Sequence, residues 1–441
     1  MFKSGKAKVT RLLGDAHFLE MVKGSGVFFF TKLLGILALY LFSWYLSVNL
    51  KAEAYGRFAY LFTIVNVITV FTIFGFDAVL IKYFSAFAKE NNYGKIKSIY
   101  LQTIKISLPL AILLSSIIFI GSFYIEHLEA WQLQLRAVAL IIPAFTIFQI
   151  NNAAISGLKK MKAYSVFKNI YLIPITFLVT FIISFHFLSP SYAIIALAIT
   201  VNLGLVLNTL YLLKKIKFFN THSETALENR TLFKVALPML FTTATSLLIT
   251  SVDILMLGFF KSTFEVGIYD IAIKISLIAA IALLGINAIA TPKFSEFHSV
   301  GDKASLRKII RWSSKFIFWS TVPILCLIFL FPKQLLSLFG EEFQQASTAL
   351  VILAFGQFIS SLSGSVGNIL KMTDNQIIFQ NIMILATLLN IILNFILIPS
   401  YSIVGAAIAT AGSMIFYNLL GVLYVWRKLK IKSFYLPLIK F

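Results

Sequence analysis

The sequence predicts an all-α polytopic membrane protein of about twelve transmembrane helices, in two six-helix lobes related by a pseudo-two-fold along the membrane normal. Three observations predict it. Of 441 residues, 59% are hydrophobic and 12% charged, with a mean hydropathy of +0.90, whereas a soluble domain is near a quarter charged. The apolar runs are about 20 residues long without the period-2 alternation of barrel strands, and only helices or closed barrels satisfy the backbone in hydrocarbon. The chain also matches itself at an offset of about 211 residues.

Taken in order, the spans fall near residues 24–48, 57–81, 99–123, 136–158, 169–188, 191–213, 233–259, 267–290, 313–332, 345–370, 375–398 and 402–426. The first 23 residues are basic and mixed, and the run after them is too long for a signal peptide and lacks a small-x-small cleavage site, so a retained first span is expected. In the self-match, Gly56 and Phe58 fall on Gly267 and Tyr269, Lys82 on Lys293, and Lys160-Met161 on Lys371-Met372. One residue later in register, "FKNI" at Phe167 meets "FQNI" at Phe379. Six spans per repeat is an even number, so both halves share one orientation, as in parallel-repeat transporters. The expected division is an N-terminal lobe at 1–213, a polar linker at 214–234 and a C-terminal lobe at 235–441, with the substrate path in the cleft between the lobes.

The 38 Lys and Arg outnumber 17 Asp and Glu, giving a formal charge of +21. With the N-terminus in the cytoplasm, 31 of the 38 basic residues fall in cytoplasmic segments or at their helix ends, 5 outside and 2, Lys32 and Lys274, within spans, which predicts both termini inside. The charge therefore reads as topology and attraction to anionic lipid, not as nucleic-acid binding. The lone Cys326 can form no intramolecular disulfide. Prolines 109, 143, 174, 238 and 323 fall inside spans, where each frees a carbonyl and marks a candidate hinge.

Charge at membrane depth is the functional signal. A central Asp or Lys costs roughly 2.5–3.5 kcal/mol on insertion scales, so it usually faces a bundle interior or a wet cavity. Asp253 and Lys274 lie roughly 10 Å into their spans and Lys32 roughly 13 Å from its cytoplasmic end, by the helical rise. Asp270 and Lys274, at i and i+4, can pair, and the residues leave a structural ion pair and a substrate site equally open. Thr242, Ser246, Thr250 and Asp253, spaced 4, 4 and 3, share one helix face. Similar polar stripes run through Gln357, Ser361, Gly364 and Asn368, and through Thr387, Asn390 and Asn394. Together they favour a hydrated cavity over simple interhelical hydrogen bonding. Asp77, Lys82 and Lys105 read as interfacial anchors. The five histidines (17, 127, 186, 222 and 298) are scattered, and no GxxxxGK[ST] loop occurs, so metal, cofactor and nucleotide chemistry have no support.

Three stretches carry a resemblance: Ala236 to Ile275, including the "Asp-x-x-x-Leu-Gly…Gly-x-Tyr" run at Asp253, Leu257, Gly258, Gly267 and Tyr269; Ala54 to Phe87; and Asn390 to Ile415. They resemble the polysaccharide-exporter branch of the multidrug/oligosaccharidyl-lipid/polysaccharide superfamily, and within it Wzx-type O-antigen flippases. The resemblance implies a two-lobed, non-enzymatic transporter of undecaprenyl-diphosphate-linked O-antigen or capsule units in the bacterial inner membrane, working by alternating access. It implies a cationic cavity, with Lys32 and Lys274 as contributors, and partners in membrane lipid, glycan polymerase and chain-length machinery. Asn390, Asn394, Gln357 and Asn368 are the further candidates for substrate contact. Asp253, Asp270, Thr242, Ser246 and Thr250 are those for cavity lining or for coupling to a proton or sodium ion. Two rivals remain: a drug or cation antiporter of the same fold, and a membrane-embedded glycan polymerase or ligase. The short external loops, carrying Glu126, Glu129, Glu265, Glu341 and Glu342, weigh against the second.

Overall fold

The computed structural model describes residues 16–124, 129–185, 191–223 and 227–435, with side chains from residue 29 onward except at 129 and 130. His127, His186 and Glu126, and part of the expected linker at 224–226, lie outside the described residues. Among the described residues all regular elements are helices. They are α1 Ala16–Ile73, α2 Phe76–Lys89, α3 Tyr93–Gly121, α4 Glu129–Gly157, α5 Met161–Ser165, α6 Leu172–Ser184, α7 Tyr192–Lys215, α8 Asn229–Phe260, α9 Thr263–Ile278, α10 Ala280–Ser299, α11 Lys303–Leu330, α12 Pro332–Ser337, α13 Ser347–Ser363, α14 Val366–Met372 and α15 Gln376–Leu429. A π-helical turn, Val166–Tyr171, joins α5 to α6.

Nine of the described helices are long and apolar enough to cross a membrane, ten when α9 and α10, bent by 44° at their junction, are taken together. Two cover more than one crossing. The 54 residues of α15 rise about 80 Å, against a hydrocarbon core of about 30 Å. One residue in each of these two helices leaves helical geometry, Lys51 in α1 (φ 61°) and Ser402 in α15 (φ 47°), so each is a pair of helices meeting at a corner. Lys51 falls in the loop that the hydropathy pattern places between spans, and Ser402 is the first residue of the expected span 402–426.

Several helices outrun their apolar windows at the basic end: α3 begins at Tyr93, α8 at Asn229 and α11 at Lys303. Lys and Arg lower the hydropathy there, but they are good helix formers and the backbone continues. One expected span needs correction. Residues 345–370 are not a single helix, because Gly364 (φ 71°, ψ −152°) ends α13 and a new helix, α14, starts at Val366. That backbone suits glycine alone.

The internal repeat is visible in the turns. Asn91 and Gly301, 210 residues apart, both take positive φ after a helix, and in both cases the next amide reaches back five residues, Asn92 to Phe87 and Asp302 to Phe297. This is the Schellman ending. Asn92 and Asp302 then cap α3 and α11, accepting from the amides of Lys95 and Ser305, each at 2.9 Å. Lys159 and Asp374 repeat the same ending at an offset of 215, and Lys217 and Lys430 share positive φ at 213. The sequence match of Lys160-Met161 with Lys371-Met372 is therefore four residues out of structural register, since Lys159-Lys160 occupies the turn that Asp374-Asn375 forms.

These caps give one prediction. The Ser305 amide, chiefly, holds the Asp302 carboxyl below the usual Asp range. A group with a lowered folded-state pKa stabilises above its unfolded value and loses that contribution as pH falls through the folded one. Hydrogen exchange at the start of α11 is thus expected to quicken as pH drops below about 4, the ordinary Asp range, and to lose that dependence in Asp302→Asn.

Two compact units divide the chain. The first comprises Met1–Phe42 and Ile68–Phe241, the second Ser43–Val67 and Thr242–Phe441. Phe76, Leu80, Phe84, Ile96, Ile150, Ala154 and Leu212 form a core cluster in the first. There Asn151 also donates to Asn208 and Thr209 and accepts from Tyr100. The polar segment after α7 lies against the same unit, because the Lys97 ammonium donates to the carbonyls of Phe218 (2.7 Å) and Thr221 (2.9 Å). In the second unit Phe294, Ile310, Ile369, Leu370 and Val425 cluster likewise.

Also within the second unit, the segment after Lys51 packs on α9 through two glycines. A Cβ on Gly56 would overlap the Thr263 carbonyl and lie 2.6 Å from the Gly267 nitrogen; one on Gly267 would overlap the Ala52 carbonyl and lie 3.1 Å from the Gly56 Cα. Gly56 and Ala52 are the repeat partners of Gly267 and Thr263. The contact is thus self-complementary, with the same pair of repeat positions facing each other.

Candidate functional site

α8 carries the first polar stripe through an apolar helix. Its deepest member, Asp253, is 1% exposed, and a buried carboxylate needs donors on every side. It has three. Asn394 on α15 donates its amide to Oδ1 at 2.6 Å, Tyr269 on α9 donates its hydroxyl to Oδ2 at 3.0 Å, and Thr410, beyond the α15 corner, also donates to Oδ2. Asn394 also donates to Asn390 Oδ1 at 3.1 Å. The buried Asn394 Oδ1 has no hydrogen-bond partner among the described residues.

A cavity of about 310 Å³ opens beside this cluster. Its polar wall is Ser246, Thr250, Asp253, Ser276, Gln357, Asn390, Thr410 and Tyr417, set among Ile249, Ile273, Leu277, Leu353, Met383 and Met414. The space suits a few waters or a hydrated ion, and its polar side offers oxygen atoms and one carboxylate. Nothing on its wall is cationic.

The second pair of deep charges forms a separate cluster on α9. The Lys274 ammonium donates to Asp270 Oδ2 at 2.5 Å and to the Tyr55 hydroxyl at 2.7 Å, and Tyr55 donates to the same Asp270 oxygen. Lys274 also lies 5.3 Å from the Tyr55 ring centroid. Helical spacing allows the i, i+4 pair, and Tyr55 completes it. Asp270 neighbours Tyr269 in sequence, so α9 presents one hydroxyl to the Asp253 cluster and the next residue's carboxylate to Lys274.

The structure thus gathers Ser246, Thr250, Asp253, Gln357, Asn390 and Asn394 at one place and sets Asp270 and Lys274 at another. Thr242 lies farther along α8, where it accepts from Gln380 at 3.4 Å. Asn368 is separated from Gln357 by the break at Gly364 and stands half-buried on α14, off the cavity wall. Lys32, in the first unit, is exposed. Sequence reasoning missed Tyr55, Tyr269 and Thr410 as partners of the deep charges. Tyr269 stands out in the sequence through the internal repeat and the Gly-x-Tyr run, neither of which points to Asp253, and Thr410 sits among small residues ("GAAIATAGS") with no period to mark it.

A family model for "polysaccharide biosynthesis protein" matches residues 21–298, and a second, MatE, matches 238–396. The first covers well over half of the sequence. The chain belongs to the polysaccharide biosynthesis protein family. Among relatives, a probable low-salt glycan biosynthesis flippase of Haloferax volcanii is 28% identical over 184 residues, 42% of this chain and 39% of that protein. The match therefore spans about two fifths of that relative's length. An uncharacterised membrane protein of Methanocaldococcus jannaschii is 27% identical over 88% of this chain and 94% of its own. Among solved structures, the lipid II flippase MurJ in an inward closed conformation superposes with a TM-score of 0.70 at 16% identity, covering 92% of this chain and 87% of MurJ. That likeness shows the fold: all-helical, multi-pass and two-lobed.

Proposed function

We propose that this chain is a flippase for lipid-linked glycans, moving a polyprenyl-diphosphate-linked oligosaccharide such as an O-antigen or capsule unit across the membrane by alternating access. Family membership, with the flippase relative, supports the class of cargo. The observation that carries transport is the Asp253 cluster: a buried carboxylate with three donors, beside a cavity, and the one ionisable side chain in the run from Val235 to Phe260. Such a group is costly to keep in a membrane, and its usual role there is on an ion or substrate path.

In this reading Asp253, Asn390, Asn394 and Thr410 hold the coupling ion, a proton or a sodium ion. The unpartnered Asn394 Oδ1 next to the carboxylate supports a cation, for which carbonyl and carboxylate oxygens are the natural ligands. Lys32 is assigned to the diphosphate. Lys274 is already engaged by Asp270 and Tyr55, so a diphosphate there would compete with the Asp270 carboxylate. The drug-antiporter reading draws on the MatE match, and a cavity wall whose one charge is acidic would suit a cation.

Reconstituted liposomes decide between them. Protein-containing vesicles are expected to flip a lipid-linked oligosaccharide about ten-fold faster than empty ones and to leave a cationic dye undisturbed. Dye extrusion with no flipping would overturn the glycan reading. Asp253→Asn keeps the volume and one acceptor oxygen, so the protein is expected to fold normally and lose the part of its rate that depends on an ion gradient. An unchanged gradient response in Asp253→Asn would remove Asp253 from the coupling path.

A further inference from the structure

A second cavity, of about 280 Å³, lies in the first unit and shares no lining residue with the Asp253 cavity. Its wall comprises Ser85, Ala88 and Lys89 from α2, Tyr93 from the start of α3, Gly157 through Lys160 from the turn after α4, and Lys215 from the end of α7. Four of these residues, Lys89, Lys159, Lys160 and Lys215, are cationic and none is acidic. Glu90 is next to Lys89 in the chain, yet no carboxylate forms an ion pair with any of the four among the described residues. The turn is held close to α2 because Gly157 has no Cβ; one there would lie 2.8 Å from the Leu80 carbonyl and 2.9 Å from the Phe84 Cβ.

Lysines at one end of a membrane bundle have an ordinary explanation, which is orientation in the bilayer. The internal repeat tests it. At the structural offsets read from the turns, the second unit builds the same corner with His298 for Ala88, Ser299 for Lys89, Lys303 for Tyr93, Asp374 for Lys159, Asn375 for Lys160 and Lys428 for Lys215. There Asp374 pairs with His298 at 3.1 Å. The fold therefore makes this corner without concentrating positive charge, and an acid is tolerated at the position of Lys159. Lys159 is also an awkward residue for its backbone, at φ 57°, where Asn, Asp or Gly would be easier. What sets the first-unit corner apart is four exposed lysines around one recess, none of them in an ion pair among the described residues, with the Lys215 ammonium over the Tyr211 ring at 5.5 Å.

We propose that this recess binds a phosphate group bearing two or more negative charges, or the phosphodiester of an anionic lipid headgroup held against it. Lysines act on phosphate as mobile point charges, and a site of four without an acid favours an anion over water. The volume admits a diphosphate or one phospholipid headgroup. Basic pockets at the ends of membrane helices are suited to such headgroups. The site is separate from the Asp253 cavity and stands or falls independently of the transport reading.

The test uses the purified full chain in neutral detergent and reads thermal unfolding against three probes: short-chain phosphatidylglycerol, inorganic diphosphate and short-chain phosphatidylcholine. Phosphatidylglycerol, diphosphate or both are expected to raise the melting temperature, with an effect that weakens with salt. The Lys89→Gln/Lys159→Gln/Lys160→Gln/Lys215→Gln variant should need about ten-fold more of the same probe for the same shift, while the matching all-Arg variant keeps the response. Lys303→Gln/Lys428→Gln, at the corresponding corner of the second unit, should respond like the wild type. A response to phosphatidylglycerol alone assigns the site to lipid, and one to diphosphate alone assigns it to a soluble anion. Equal stabilisation by phosphatidylcholine, an undiminished response in the four-fold Gln variant, or no response to either anion overturns the proposal. Should that variant not fold, Lys159→Gly removes one charge while relieving the backbone, and an affinity unchanged by it counts equally against the site.

Discussion

Lys274→Ala is expected to destabilise the protein by about 3 kcal/mol, the lower end of the cost of leaving a buried charge without its partner. The lower end applies because the Lys274 side chain is 19% exposed and Asp270 9%, so some water reaches the pair. After truncation Asp270 keeps only the Tyr55 hydroxyl. Asp270→Asn/Lys274→Gln removes both charges together and should fall within about 1 kcal/mol of the wild type, since neutral isosteres of a buried pair are often tolerated. Thermal unfolding of both variants checks this arithmetic. The same pair separates structure from transport. If Lys274 also contacts a diphosphate during the cycle, the double variant folds but flips lipid-linked glycan at a small fraction of the normal rate. A double variant with full transport would confine Lys274 to holding Tyr55 against α9.

Much of this architecture was legible because hydrocarbon imposes a simple code. Apolar runs of sufficient length mark helices, and the deep charges Asp253, Asp270 and Lys274 stand out against them. Of the polar stripes on α8 and α15, Ser246, Thr250, Asp253 and Asn390 stand on the cavity wall and Asn394 bonds Asp253, because one regular helix carries each set and periodicity survives. The Gln357 to Asn368 stripe failed for the opposite reason: Gly364 breaks the helix, and a period counted across a break has no meaning. Partners far apart in sequence were hidden. Tyr55 lies 215 residues from Asp270 and Thr410 lies 157 from Asp253, and both bonds depend on corners at Lys51 and Ser402 whose sharpness no propensity reports. The basic recess was hidden in another way. Its lysines were absorbed into the overall charge asymmetry, and only the comparison of the two structural repeats shows that one corner carries them and the other does not.

The self-complementary contact at Gly56 and Gly267 carries the largest expected effect on folding. Gly267→Val is expected to prevent stable assembly of the second unit, giving little monodisperse protein on size exclusion and a melting temperature lowered by well over the shift that a typical core substitution gives. Overpacking normally costs about 1–3 kcal/mol because neighbours move aside. Here they cannot, since the atoms facing the new Cβ are backbone, the Ala52 carbonyl and the Gly56 Cα, in helices already in contact. In a bilayer such close approach is itself a source of helix association, through packing that only small residues permit. Gly56→Ala should be nearly as damaging, because its Cβ would overlap the Thr263 carbonyl. Gly121→Ala is the control: nothing lies within 4 Å of the added methyl group, and replacing glycine at a helix end with a better helix former should be neutral or slightly stabilising. A wild-type melting temperature in Gly267→Val would mean that the two helices are not in contact there.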